Sequence, residues 1–159
     1  MNNNLCKVFA IASRMQILSS QHAHSILKKH MKSDIEEVWC MALTSSLKLI
    51  DIKMIFRGTV DQCTIHPRDI FRFACNANAS RIILAHNHPS GDLEPSKQDI
   101  LITKQILNCS KIIQIPLLDH LIITSKMYFS FADQELVFET HHTEITHFAK
   151  TGGVNNHIN

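Results

Sequence analysis

Residues 86–99 read HNHPSGDLEPSKQD. The stretch carries two imidazoles, three carboxylates and two hydroxyls. If His86 and His88 continue an extended strand, its two-residue period puts both rings on one side. Asp99 falls in the first turn of the next helix, and the loop from Pro89 to Pro95 is long enough to fold back. Two imidazoles and one carboxylate make a three-ligand set for zinc that leaves a fourth position open for water. An ion held there lowers the pKa of that water toward neutrality. Each half of the pattern also has a plainer explanation. His22 and His24 repeat the H-x-H spacing in a helical segment, where residues two apart do not face each other. Eleven residues beyond His24 stands Ile35 rather than a carboxylate. Ser96-x-x-Asp99 alone reads as a helix capping box, and a serine that caps a helix can also face a site. Two other zinc signatures fail: a deaminase needs H-x-E with P-C-x-x-C, and a zincin needs H-E-x-x-H.

The surrounding elements must place these groups. RIILA, residues 81–85, is a short β-branched run that reads as a central strand and leads straight into His86. A helix is expected from about Ser96 to Cys109, with Ile102, Ile106 and Cys109 on one stripe. Upstream, EEVWCMAL and LKLIDIKMIF read as strands joined by a turn at Thr44-Ser45-Ser46. HPRDIFRFACNANA reads as a helix with Pro67 in its first position, on the spacing of Ile70, Phe73, Ala74 and Ala77. KIIQIPLL and HLIIT both read as strands, and MYFSFADQELVF closes the domain. A helix capped at Ser19 or Ser20 carries Ala23, Ile26, Leu27 and Met31 on one face. A hairpin followed by alternating strands and helices points to a mixed sheet flanked by helices. The division expected is a helical, peripheral extension over 1–33, a core domain over 34–139 and a polar, mobile tail over 140–159.

Bulk properties limit the function classes. The chain has 159 residues, 45% hydrophobic and 19% charged, so it is a globular sequence of one domain. A net charge of +2 is too mild to support a dedicated nucleic-acid binder. The five cysteines include no C-x-x-C pair, and read as buried thiols in a reducing compartment. MNNNLCKVFAIASRM is a poor signal peptide, and no stretch approaches the roughly 18 apolar residues of a membrane span. A cytoplasmic location without membrane contact is expected, and the sequence sets no oligomeric state.

H-x-H-P, a loop, then S-x-x-D with seven residues between the second histidine and the serine, is the JAMM motif. The chain resembles the JAB1/MPN metallopeptidase domain. Its residues 65–106, IHPRDIFRFACNANASRIILAHNHPSGDLEPSKQDILITKQI, and LLDHLIIT at 117–124 are similar to the bacterial RadC-like branch. The resemblance covers about Ile17 to Val137. It implies an α/β fold, a cytidine-deaminase-like mixed sheet flanked by helices. It also implies Zn2+ held by His86, His88 and Asp99, and an upstream glutamate as general base. RadC-like sequences open that strand roughly as E-h-f-x-v-l, so Glu37 fits best because the aromatic Trp39 follows two residues later. Glu36 is the register alternative. On propensity alone both glutamates are a solvated strand entrance, since Glu is disfavoured in strands. Ser96 would donate to the developing oxyanion.

The implied activity is a zinc-dependent hydrolase of the metallopeptidase type, cutting a peptide or isopeptide bond in an unknown protein or peptide. The alternatives are a non-catalytic protein-binding module of the MPN type and a DNA-associated accessory protein, as the RadC name suggests. Full-length RadC-like proteins carry an N-terminal helix-hairpin-helix region. No such glycine-containing hairpin is found here, where the first glycine is Gly58. His66 reads as structural, and Gly91 as a turn residue. Asp119 and His120 are candidates to hydrogen-bond behind the site or to lie at the core edge. Asn87, Ser90 and Asp92 are candidate substrate contacts. Asp92 and Glu94 could compete as ligands, and His141, His142 and His147 read as part of a mobile tail.

Overall fold

The computed structural model describes residues 15–31, 34–58 and 65–136. The elements run α1 (Ser20–Leu27), β1 (Glu36–Leu43), β2 (Leu49–Gly58), α2 (Pro67–Asn76), β3 (Arg81–Asn87), α3 (Lys97–Ile113), β4 (Leu117–Ile123) and β5 (Tyr128–Ser130). They build one mixed five-stranded sheet of order β2-β1-β3-β4-β5. β3 and β4 are parallel, which requires a crossover, and α3 supplies it. The other neighbours are antiparallel. β3 is therefore central, as its apolar run indicates. β3 and β4 are buried along nearly their whole length, as strands covered on both faces must be.

The strand alternation splits the core in two. Cys40, Ala42, Ile82, Leu84 and Ile122 point to one face, where α2 and α3 cover them with Ile70, Phe73, Ala74, Ile102 and Ile106. Met41, Leu43, Ile83, Ala85 and Leu121 point to the other, where α1 contributes Ala23, Ile26 and Leu27. α1 is capped by Ser19, whose hydroxyl accepts from the His22 amide at 3.1 Å. Pro67 stands in the first turn of α2, and His66 is its N-cap without a side-chain cap bond. The β1–β2 hairpin turns at Thr44–Lys48, with Leu47 at φ 61.

Four sequence readings change. KIIQIPLL is not a strand throughout: residues 111–113 continue α3, which ends where Gln114 turns left-handed at φ 60. Ile112 is 82% exposed, so an apolar run without alternation misled. Leu117 and Leu118 join residues 119–123 in the single strand β4, and residues 114–116 connect helix to strand. Met15–Leu18 is not helical; Gln16 bridges to Lys48 and Ile17 is fully buried, so this stretch belongs to the packed body. Cys40 is buried, and burial pushes its thiol pKa up, but Cys75 is exposed and Cys109 only partly covered. Cys6, Cys63 and the tail histidines lie outside the described residues. Among the described residues no helix is long and apolar enough to cross a membrane.

Candidate metal centre

The carboxyl end of β3 and the amino end of α3 meet at one point. β3 delivers His86, and its pairing ends at Asn87. A turn follows, closed by the Gly91 amide donating to the His88 carbonyl at 3.0 Å. Gly91 sits at φ 82, a conformation that favours glycine. Ser96 then caps α3 with a full capping box: its hydroxyl accepts from the Asp99 amide at 3.1 Å, and its own amide donates to Asp99 Oδ2 at 2.8 Å. That box aims Asp99 back at the histidines.

His86 Nε2 lies 2.9 Å from His88 Nε2 and 3.1 Å from Asp99 Oδ1, and His88 Nε2 lies 3.5 Å from Asp99 Oδ2. One ligand atom from each of the three residues lies within 4.8 Å of the others. Among the described residues this is the one such group. Donors about 2 Å from a tetrahedral zinc are roughly 3.3 Å apart, so the three atoms need only small adjustments to hold one. The ring orientation fits as well. His88 Nδ1 is 2.8 Å from the Asp92 carbonyl, which can only accept, so Nδ1 carries a hydrogen and Nε2 is the nitrogen that can meet an ion. Asp99 Oδ2 is engaged by the Ser96 amide and by the Ser96 hydroxyl at 2.6 Å, which leaves Oδ1 as the oxygen open to an ion.

Hydrogen bonds and close polar contacts join the three side chains. The hydrogen bond with Asp99 raises the His88 pKa, against the pull of burial, and the charge of Glu36 adds to the rise. Burial alone would raise the Asp99 carboxyl, but hydrogen bonds from His86, His88 and Ser96 outweigh it and hold the group well below the usual carboxylate range. His120 stands behind His86, with its Nε2 2.9 Å from His86 Nδ1. Burial, with His86 beside it, keeps the His120 pKa well below the ordinary imidazole value. Asp119 takes no part in the cluster. It accepts from Ser130 Oγ at 2.7 Å and from the Ala132 amide at 3.0 Å, tying β4 to the closing turn. Burial pushes its pKa up to about 7 despite these bonds.

In front of the cluster lies an open cleft of about 350 Å³, lined by Glu36, Ile65, His88, Ser90, Asp92, Glu94, Ser96, Gln98, Asp99 and Ile102 among others. The structure brings Glu36, not Glu37, to this cleft. Val38 pairs with His86 across β1 and β3, so these two share a face and Glu37 points to the other. The Glu37 carboxylate accepts from the Trp39 indole at 3.0 Å and faces Arg57 at 3.4 Å. The resemblance to the family pattern aligned Glu37, whereas the ladder register decides which neighbour faces the histidines. Asn87 also differs from expectation. It is 4% exposed and clamps the start of β1, accepting from the Glu37 amide at 2.7 Å and donating to the Ile35 carbonyl at 2.8 Å. Ser90, Asp92 and Glu94 line the cleft, but Asp92 and Glu94 do not join the ligand group. Thr103 escaped the sequence reading; its position four residues after Asp99 on the buried stripe was the available signal.

The RadC-like JAB domain family matches residues 17–136. The chain is 40% identical over 131 residues to the UPF0758 protein pc1765 of Protochlamydia amoebophila, covering 81% of this chain and 56% of that protein. It is 43% identical over 105 residues to a UPF0758 protein of Thermotoga maritima, covering 66% of this chain and 46% of that one. A UPF0758 protein of Latilactobacillus sakei is 42% identical over 99 residues, covering 62% and 44%. The chain belongs to the RadC-like JAB domain family, and it spans about half the length of the curated relatives it matches.

Proposed function

We propose that this chain is a zinc-dependent hydrolase that cuts a peptide or isopeptide bond. The observation that supports it is the convergence of two imidazole nitrogens and one carboxylate oxygen beside an open cleft that His88 and Asp99 line. His86 and His88 would hold the ion through Nε2 and Asp99 through Oδ1. When bound, zinc supplies Lewis acidity that lowers the pKa of a water and polarises a carbonyl. Glu36 stands at the cleft wall, where its carboxylate can take a proton from the attacking water and return it to the leaving amine. The resemblance gives this part to Glu37, whose carboxylate would have to leave Trp39 and Arg57 and round the end of β1. Ser96 keeps Asp99 in place, and as oxyanion donor its hydroxyl would rotate from Asp99 Oδ2 toward the cleft. Glu36, Asp92 and Glu94 on the cleft wall would repel a phosphate backbone, which favours a protein or peptide over nucleic acid.

Metal analysis tests this first. Protein purified from zinc-replete medium is expected to hold about one zinc per chain, and Asp99→Ala little, because zinc needs its full ligand set. A wild-type chain that holds no zinc and takes none up on titration would end the reading. Zinc without hydrolysis across a peptide and isopeptide library would leave a binding module.

A further inference from the structure

His86 is held from behind by a directed chain of hydrogen bonds. Thr103 Oγ1 lies 2.6 Å from the Asp99 carbonyl, His120 Nδ1 lies 2.6 Å from Thr103 Oγ1, and His86 Nδ1 lies 2.9 Å from His120 Nε2. The chain starts at a carbonyl, which can only accept. Thr103 therefore spends its one hydroxyl hydrogen there, and the next hydrogen must come from His120 Nδ1. His120 is 1% exposed and stacked on Phe131, with centroids 5.0 Å apart and 12° between the planes. Among the described residues no carboxylate hydrogen-bonds its ring, so the buried ring is neutral and carries one hydrogen. With that hydrogen on Nδ1, Nε2 is a bare acceptor. His86 must then carry a hydrogen on Nδ1, which leaves Nε2, the nitrogen facing His88 and Asp99, as the one that can meet an ion.

We propose that His120, itself set by Thr103, is a positioning residue that keeps a hydrogen on His86 Nδ1 and so reserves Nε2 for the metal. The consequence for zinc rests on the metal reading above; the Nδ1 hydrogen does not. Ligand histidines most often donate this second hydrogen to a carboxylate, a carbonyl or water. A neutral imidazole in that place orients the ring without adding a negative charge behind it.

Three variants and one spectrum test the chain of bonds. His120→Phe keeps a ring against Phe131 and removes the acceptor, and zinc affinity measured against a competing chelator is expected to fall about 10- to 100-fold. His120→Gln restores an acceptor and should recover most of that loss, which a purely packing role would not allow. Thr103→Val, which leaves both rings in place, should weaken zinc in the same direction by less. Long-range nitrogen–proton correlation in metal-stripped wild-type protein should show a hydrogen on His86 Nδ1. The proposal is overturned if His120→Phe and Thr103→Val both bind zinc within twofold of wild type, or if Nδ1 of metal-free His86 carries no hydrogen. If His120→Phe does not fold, Thr103→Val and the wild-type spectrum decide. A wild-type chain that binds no zinc would sink the metal reading and leave the nitrogen–proton measurement standing.

Discussion

The chain contains the same tripeptide pattern twice, and only one copy forms a cluster. His22 and His24 lie on α1, where two residues turn side chains about 200° apart. His24 stacks on Tyr128 at 4.6 Å, and its Nε2 is buried without a hydrogen-bond partner among the described residues. His86 and His88 lie at the end of β3, where the same separation brings the two Nε2 atoms to 2.9 Å. The protein then adds what the helical copy lacks: a capped helix that returns Asp99, a carbonyl behind His88 and an imidazole behind His86. H-x-H is therefore neutral as a motif, and its backbone geometry decides whether it can chelate.

The largest effect should come from exchanging members of the two pairs. His86→Ala and His88→Ala are each expected to lower zinc affinity by at least about 100-fold, while His22→Ala and His24→Ala leave it within twofold; zinc titration against a chelator reads both. Equal losses in the two pairs would dissolve the contrast. Next is the base. Glu36→Gln should lower turnover roughly 10²- to 10⁴-fold with zinc retained, and Glu37→Gln should act mainly on stability by disturbing Trp39 and Arg57. The reverse order, measured on any peptide substrate found, would return the base to Glu37 and require its side chain to round the strand end.

Smaller effects test the setting of each pair. Ser96→Ala removes the α3 cap and the hydroxyl on Asp99, so stability should drop by about 0.5–2 kcal/mol. Zinc should weaken with it if the cap aims Asp99, and thermal melts with and without zinc separate the two losses. The smallest signal is the pH response of metal-free protein. His24 has its pKa lowered by burial and by Lys28, so the native state binds fewer protons there than the unfolded chain. Stability from His24 is thus lost as pH falls below about 6.5. His88 has its pKa raised, chiefly by Asp99, so its contribution is full below about 6.5 and is lost as pH rises through the raised value. Imidazole titration by NMR should find His88 above and His24 below the ordinary value; titration in the opposite order would refute the contrast.

Much of this was legible in the residues. Ser19 before an amphipathic run, Pro67 ahead of Ile70 and Phe73, and the β-branched run before His86 each name an element through local chemistry. The convergent group of His86, His88 and Asp99 was legible too, because strand period, loop length and helix cap are all short-range features. What failed was long-range or one-sided. Residues 111–113 look like a strand because apolar content alone carries no period once a helix end is exposed. Ile17 looks peripheral until the turn near Lys48 pairs with its neighbour Gln16. Glu36 and Glu37 differ by one position, and one position reverses the face of a strand.

The sequence by itself determined the mixed α/β architecture, the JAMM pattern and the three residues able to chelate, because these follow from side-chain type and spacing along one local path. Only the tertiary structure decided which glutamate enters the cleft, that Asn87 clamps β1, and that Thr103 and His120 stand behind His86. Those relations depend on how β1 registers against β3 and how α3 lies over β4. Register and packing are set by the whole buried core, and no local stretch of sequence contains them.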